Sequence, residues 1–344
     1  MRNSYNIRTF YKAIGAAILT VATAMVSCNK GQTVPSPDMV VTTGRTNGSA
    51  TTTFAPGDTV NFRFTGNPNL ITFYSGELGK RYQYAGRTQA NGTPQLQFSS
   101  LLANGTQPNS LSLLVSSDFK GVVTKTVAGV LVRDTAATNA NIATATWTDI
   151  TTRATFASGA TAVSSGIIDL SDFARQGKPV YLAFKYNATT GSTQNKWTIN
   201  NLAINNVLSD STSYLIGNLN SPAKPLTNYG ATSYSPGWAV SYDSSKNANN
   251  YAWIYTDGTS LVITGATSAA GATSAAEAWA VSGPIDLTKV TPDFGVPIKG
   301  VIATLGSYSY IYRQPGNYNA VLVATNATAD DSKTLVQQVP LTIK

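Results

Sequence analysis

Tyr251, Trp253 and Tyr255 alternate in NNYAWIYTDG, and at the period of two that a strand imposes this puts three aromatic rings on one face. Sugars present flat C–H faces that stack on such rings, while Asn, Gln, Asp and Arg bond their hydroxyls. Aromatic platforms bordered by polar groups are therefore the physical signature of glycan binding. Trp238, beside Pro236 and Gly237, is a further candidate at a loop edge. The glycan-binding candidates are thus Tyr251, Trp253, Tyr255 and Trp238. Facing inward, the same stripe is simply core; against that, the opposite face of Ala252, Ile254 and Thr256 is able to pack in its place. Trp147, Trp197 and Trp279 are expected to fill the core.

Aspartates are the second chemical resource. Calcium takes six to eight oxygens from carboxylates, carbonyls and water, and Asp118, Asp169 and Asp172 are the candidates for a structural calcium site. The Asp169-Leu170-Ser171-Asp172 run reads equally well as a capped turn. Catalytic chemistry is poorly provided for. The chain has no histidine, which excludes imidazole bases and His metal sites, and its single cysteine, Cys28, excludes zinc–thiolate clusters. Glu77 and Glu277 are the only glutamates, far apart in sequence, whereas a glycosidase needs paired carboxylates flanking a sugar. The expectation is a protein that is not an enzyme.

Residues 1–27 read as an address. Arg2, Arg8 and Lys12 form a basic leader, Ala13 to Ala24 an uncharged apolar run, and Met25-Val26-Ser27-Cys28 a small-residue cleavage site. The apolar run is too short for a spanning helix. Cys28 cannot pair within the chain, and its position fits the cysteine that bacterial lipoproteins acylate; an ordinary leader with an incidental cysteine is the alternative. Removing residues 1–27 takes three cations and no acid, so the net charge of +8 becomes +5. The remaining Lys and Arg are scattered, which argues against nucleic acid as a partner. Residues 28–38, with two prolines in GQTVPSPD, read as a tether.

The elements that must position these groups are strands. Charged residues are only 12% of the 344, and Thr, Ser, Asn, Gly and Ala dominate between short apolar runs, a composition of turn-rich all-β proteins. Val60, Phe62 and Phe64 alternate with polar residues, Gly66-Asn67-Pro68-Asn69 supplies a turn, and Ile71, Phe73 and the Tyr82/Tyr84 pair resume the alternation. Three such strands are too few to enclose a core. Val180, Leu182, Phe184 and Tyr186 mark a strong strand facing one way, with Tyr181, Ala183 and Lys185 facing the other. Ala136 to Ala145 is small and polar, a loop by composition.

The motif order IIDLSDF, GKPVYLAFKY, then WTINNLAI resembles the jelly-roll domains of bacterial surface adhesins and carbohydrate-binding modules. Asn200 stands where that pattern often has Asp, which weakens any inherited polar-ligand role there. Phe54 to Arg87 resembles the first half of a PKD-type immunoglobulin-like domain, and the segment from Tyr308 through QPGNYNAVLVATN to Ile343 resembles the second half. The fold expected is therefore all-β: a jelly-roll β-sandwich inserted into or following a PKD/immunoglobulin-like β-sandwich. The divisions are 39–94 for the first half, 95–295 for the jelly roll and 296–344 for the second half; a complete small domain at each end is the alternative.

With the lipobox and GDTVNFRFTGNPNLITFYSGELG, these motifs resemble one family, the Bacteroidetes outer-membrane lipoproteins of the domain of unknown function 5017 family. The resemblance implies a lipid-anchored outer-membrane protein near polysaccharide-utilisation machinery. Its expected partners are a glycan ligand, a TonB-dependent transporter and that transporter's partner lipoprotein. Non-catalytic capture of a polysaccharide or oligosaccharide for uptake is the function expected, with a surface adhesin or structural lipoprotein binding host or matrix protein as the alternative.

Overall fold

The computed structural model describes residues 33–219, 238–256 and 259–344. Cys28 and the leader lie outside the described residues. No helix among the described residues is long and apolar enough to cross a membrane. The fold is an all-β sandwich architecture, and its contacts divide it into two units: residues up to Ala85 together with Asp293–Lys344, and Gly86–Pro292.

The first unit is a two-sheet sandwich that neither piece of chain builds alone. Its smaller sheet orders Val40–Gly44, Thr59–Thr65 and Ser307–Ile311. Its larger sheet runs Val296–Lys299, Leu70–Tyr74, Gly316–Ala327, Ser332–Ile343 and Thr53–Phe54. In each sheet an early strand lies against a late one: Phe62 is opposite Tyr308, and Phe73 is opposite Leu322. Alternation sends Val60, Phe62 and Phe64 inward from one sheet, to meet Ile71, Phe73, Leu322 and Leu341 from the other. Each such side chain, fully buried, contributes about 1.5–3 kcal/mol. Gly66 makes the turn between Thr59–Thr65 and Leu70–Tyr74 possible. It sits at φ +88°, and a Cβ there would meet the Asp38 carbonyl oxygen at 2.0 Å.

The second unit is a larger sandwich. Among the described residues one sheet has seven strands, centred on Thr93–Ala103 and Lys196–Val207, and the other orders Trp238–Ser241, Ala276–Ser282, Tyr181–Ala188, Leu111–Ser116 and Thr148–Asp149. Between the sheets, Leu96, Phe98 and Ile199 pack on Leu113, Leu182, Phe184 and Tyr186. The alternation of Tyr181–Ala188 is as its sequence dictates, with Leu182, Phe184 and Tyr186 wholly buried. One end of this core is closed by a polar network. Asn195 accepts from Gln107 N and donates to the Gln107 carbonyl and to Ser110 Oγ, which also accepts from the Trp197 indole.

Three local expectations differ from the structure. Tyr82 and Tyr84 lie in a 3-10 turn, Tyr82–Tyr84, and not in a strand, because buried Asp293 draws in both the Arg81 backbone N–H and its guanidinium. Thr135–Thr144 is an α-helix where composition suggested a loop; Asp134 caps it, its carboxylate accepting from Ala137 N. Residues 86–94 pack with the second unit, since Ala90 N bonds to the Thr288 carbonyl and Arg87 to the Tyr214 hydroxyl.

Candidate ligand-binding site

The aromatic stripe does not form a platform. Trp253 is 2% exposed and packs on Phe184, its indole donating to the Ala278 carbonyl; Trp238 is also buried, stacked on the same Phe184. Tyr251 and Tyr255 are half-buried against that core. The reason is the strand's orientation: Ile254 and Thr256 face solvent, so the aromatic side fills the interior.

The calcium candidates are likewise separated and already engaged. Asp118 accepts from Ser116 Oγ and Thr146 N, which hold its carboxyl below the ordinary range. Asp169 accepts from Ser171 N in a tight turn. Asp172 takes both arms of the Arg153 guanidinium at 3.0 and 2.8 Å, which keeps it ionised and lowers its pKa. No cluster of three or more His, Cys, Asp or Glu occurs among the described residues, so these aspartates do not converge on a cation.

A different pair of tryptophans, expected in the core, lines a concavity. On Ala276–Ser282, Ala276, Ala278 and Ala280 turn into the main core, leaving Glu277, Trp279 and Val281 on the outer face of the sheet. The neighbouring strand sets Lys185 directly opposite Trp279 and Asn187 opposite Glu277. The segment 117–147 folds over this outer face as a small second core of Phe119, Ile142, Trp147 and Trp279. Trp147 enters from the residue before Thr148–Asp149, its indole donating to the Ile142 carbonyl at 3.0 Å near the end of the helix. The two indole rings lie 5.4 Å apart at 45°. Around them a pocket of about 250 Å³ is lined by the polar Asn139, Lys185, Asp243, Lys246 and Glu277 and by the apolar Ile142, Ala143 and Ala145.

Charge in the pocket is organised about Glu277. Its carboxylate accepts the Trp279 indole N–H at 3.1 Å, takes Lys185 at 3.0 Å and has Lys246 at 3.7 Å. Burial alone would raise its pKa, but the indole, Lys185 and Lys246 together outweigh burial, and the net shift is downward. Lys185 Nζ also lies 5.1 Å over the centre of the Trp279 ring, a cation–π contact on the indole's face. Asp243 is held ionised by the hydroxyl and N–H of Ser245.

Asn139 ties the helix to the sheet, donating to the Tyr242 carbonyl at 2.7 Å and accepting from Ser241 Oγ. Beyond it the pocket continues into a second concavity of about 670 Å³, which shares Asn139, Ala143 and Asp243 and extends to Arg133 and Asn250. The two together form a groove that begins at an aromatic pair and runs along the helix past amides and hydroxyls. That suits a ligand with C–H faces and many hydroxyls.

Sequence reasoning missed this site because Trp147 and Trp279 are distant in the chain and meet only through sheet register. The signal that was available is the alternation of Tyr181, Ala183 and Lys185 on the outer face, which marks a second, partly apolar side to that sheet.

The sequence model of a family described as Domain of unknown function (DUF5017) matches residues 27–223. Neither a curated protein nor a solved structure matches the chain.

Proposed function

The chain belongs to the DUF5017 family, whose description assigns no activity, and we propose from its own residues that it is a non-catalytic, lipid-anchored surface protein that captures an oligosaccharide or polysaccharide at Trp147 and Trp279. The observation that carries this reading is the half-buried Trp147 ring set beside Trp279 in a pocket that Asn139, Lys185, Asp243, Lys246 and Glu277 line together with the apolar Ile142, Ala143 and Ala145. In the same reading Cys28 takes the lipid, the outer sandwich is PKD-like and the inserted unit a jelly roll. The protein then stands on the outer membrane of a Bacteroidetes cell and passes glycan to a TonB-dependent transporter and its partner lipoprotein.

The non-catalytic part rests on electrostatics. Glycoside hydrolysis needs one carboxyl held protonated beside another that is ionised. Glu277 and Asp243, the two carboxylates of the pocket, are both biased toward the ionised form. A second reading, a surface adhesin or structural lipoprotein for host or matrix protein, is favoured by Val301 and Ile302. These are 65% and 100% exposed in the loop after Val296–Lys299.

The test is calorimetric titration of the full chain against a panel of polysaccharides, with Trp147→Ala beside the wild type. Binding by the wild type and a loss of about tenfold or more in the variant, equivalent to about 1.4 kcal/mol, supports the reading. Equal binding by the two removes the site, and hydrolysis of any panel member removes the non-catalytic assignment.

A further inference from the structure

The sandwich formed by residues 33–85 and 293–344 has a groove of its own, of about 350 Å³, lined by Gly76, Arg81, Tyr82, Gln83, Asn319 and Gln338, among others. Its floor is the outer face of the larger sheet. Leu322, Ala320 and Ala324 point into the core from Gly316–Ala327, so Asn317, Asn319 and Val321 point out. Register places Val321 between Tyr74 on one neighbour and Gln338 on the other. The wall is the Tyr82–Tyr84 turn, which brings the Tyr82 ring edge-to-face against Tyr74 at 5.3 Å and leaves Tyr82 36% exposed.

This wall is held in place before any ligand arrives. Arg81 bonds Asp293 at 2.9 Å through its side chain and at 3.0 Å through its backbone N–H, and its guanidinium lies 4.5 Å over the Tyr84 ring. On the other side Gly76, at φ +84°, lets the Ser75-to-Lys80 turn approach the Asn319 backbone so closely that a Cβ would meet its carbonyl oxygen at 2.8 Å. Asn319 donates to Gln338 Oε1 at 3.1 Å, which leaves Asn319 Oδ1, Gln338 Nε2 and the Gln83 amide without a hydrogen bond among the described residues. The charge of Arg81 is matched by Asp293, so what the groove offers is an exposed ring and unspent amide donors and acceptors.

We propose that this groove is a second saccharide site, selective for uncharged sugars, with Tyr82 as the stacking ring and Gln83, Asn319 and Gln338 bonding hydroxyls. It shares a ligand class with the reading above and none of its residues. Preformed walls lower the ordering cost of binding, which is what an exposed surface site requires to retain a small ligand.

The experiment titrates the full chain by calorimetry with malto-, cello-, xylo- and manno-hexasaccharides, using wild type, Trp147→Ala, Tyr82→Ala, Asn319→Ala and the Trp147/Tyr82 double variant. Thermal unfolding of each variant accompanies it, and Asn319, exposed on a strand, is the substitution that leaves the core untouched. The expected result is two binding events in the wild type: Trp147→Ala weakens one and leaves the other, Tyr82→Ala and Asn319→Ala each weaken that other event about tenfold or more, and the double variant loses both. If Trp147→Ala removes all binding and neither groove variant changes the wild-type isotherm, the second site is overturned while the first stands. If only the groove variants lose binding, the first site falls and the second stands. Should no hexasaccharide bind the wild-type chain, the groove as a neutral-sugar site is refuted.

Discussion

The Tyr310 hydroxyl donates to Glu77 Oε2 at 2.5 Å, joining residues 233 positions apart. Lys80 Nζ donates to the same hydroxyl at 3.0 Å, Ser75 Oγ to the same carboxylate at 2.9 Å, and the Tyr312 hydroxyl to the Ser75 carbonyl at 2.8 Å. The FYSGE stretch is thus a polar fastening between the two pieces of chain that make the first sandwich. Tyr310→Phe removes the hydroxyl that bonds both Glu77 and Lys80 and is expected to cost at least about 1.5–3 kcal/mol, the worth of one hydrogen bond to a charged group. Differential scanning calorimetry of the variant checks this, and an unchanged melting profile would show the contact to be idle.

Trp253→Ala is expected to lower stability and not ligand affinity as such. The indole packs on Phe184 within the main core and donates to the Ala278 carbonyl, so truncation leaves a cavity and an unpaired acceptor. A loss of about 3–5 kcal/mol is typical of a buried Trp. Urea unfolding beside Trp147→Ala separates the roles: Trp147, half-buried over a small second core, should lose less stability and more binding.

Glu277 makes a pH-dependent contribution whose sign follows from its shift. Burial raises its pKa, the Trp279 indole, Lys185 and Lys246 lower it by more, and the folded value lies below the ordinary 4.5. The stabilisation is fully present above that ordinary value and disappears as pH falls through the lower folded value. Melting temperatures of wild type and Glu277→Gln, measured from neutrality downward, should therefore differ at neutral pH and converge in acid. A constant gap across that range would contradict the assignment.

The strands were legible in the sequence wherever one face of a sheet meets one core. Val60-Phe62-Phe64 and Leu182-Phe184-Tyr186 alternate cleanly because their polar neighbours face out. The candidate pocket was not legible, because the sheet that carries it is covered on both faces. Trp279 lies opposite the alanines of its own strand, under a segment whose helix shows only a faint apolar face. The cap at Asp134 was the one local cue to that helix. The aromatic stripe misled for the converse reason: Tyr251, Trp253 and Tyr255 have the right spacing for a platform, but spacing does not say which side of the strand meets the core.

The short parallel pairing of Thr53–Phe54 with Thr342–Ile343, and the placement of Leu70–Tyr74 between Val296–Lys299 and Gly316–Ala327, impose an order in time. A chain made from its N-terminus forward exposes Ile71 and Phe73 long before either partner of their strand exists. The unit of residues 86–292 has all its strands by then and is free to fold first. The first sandwich therefore matures last, and its early strands, open-edged and apolar in the meantime, are where a nascent chain of this protein would draw chaperones or aggregate.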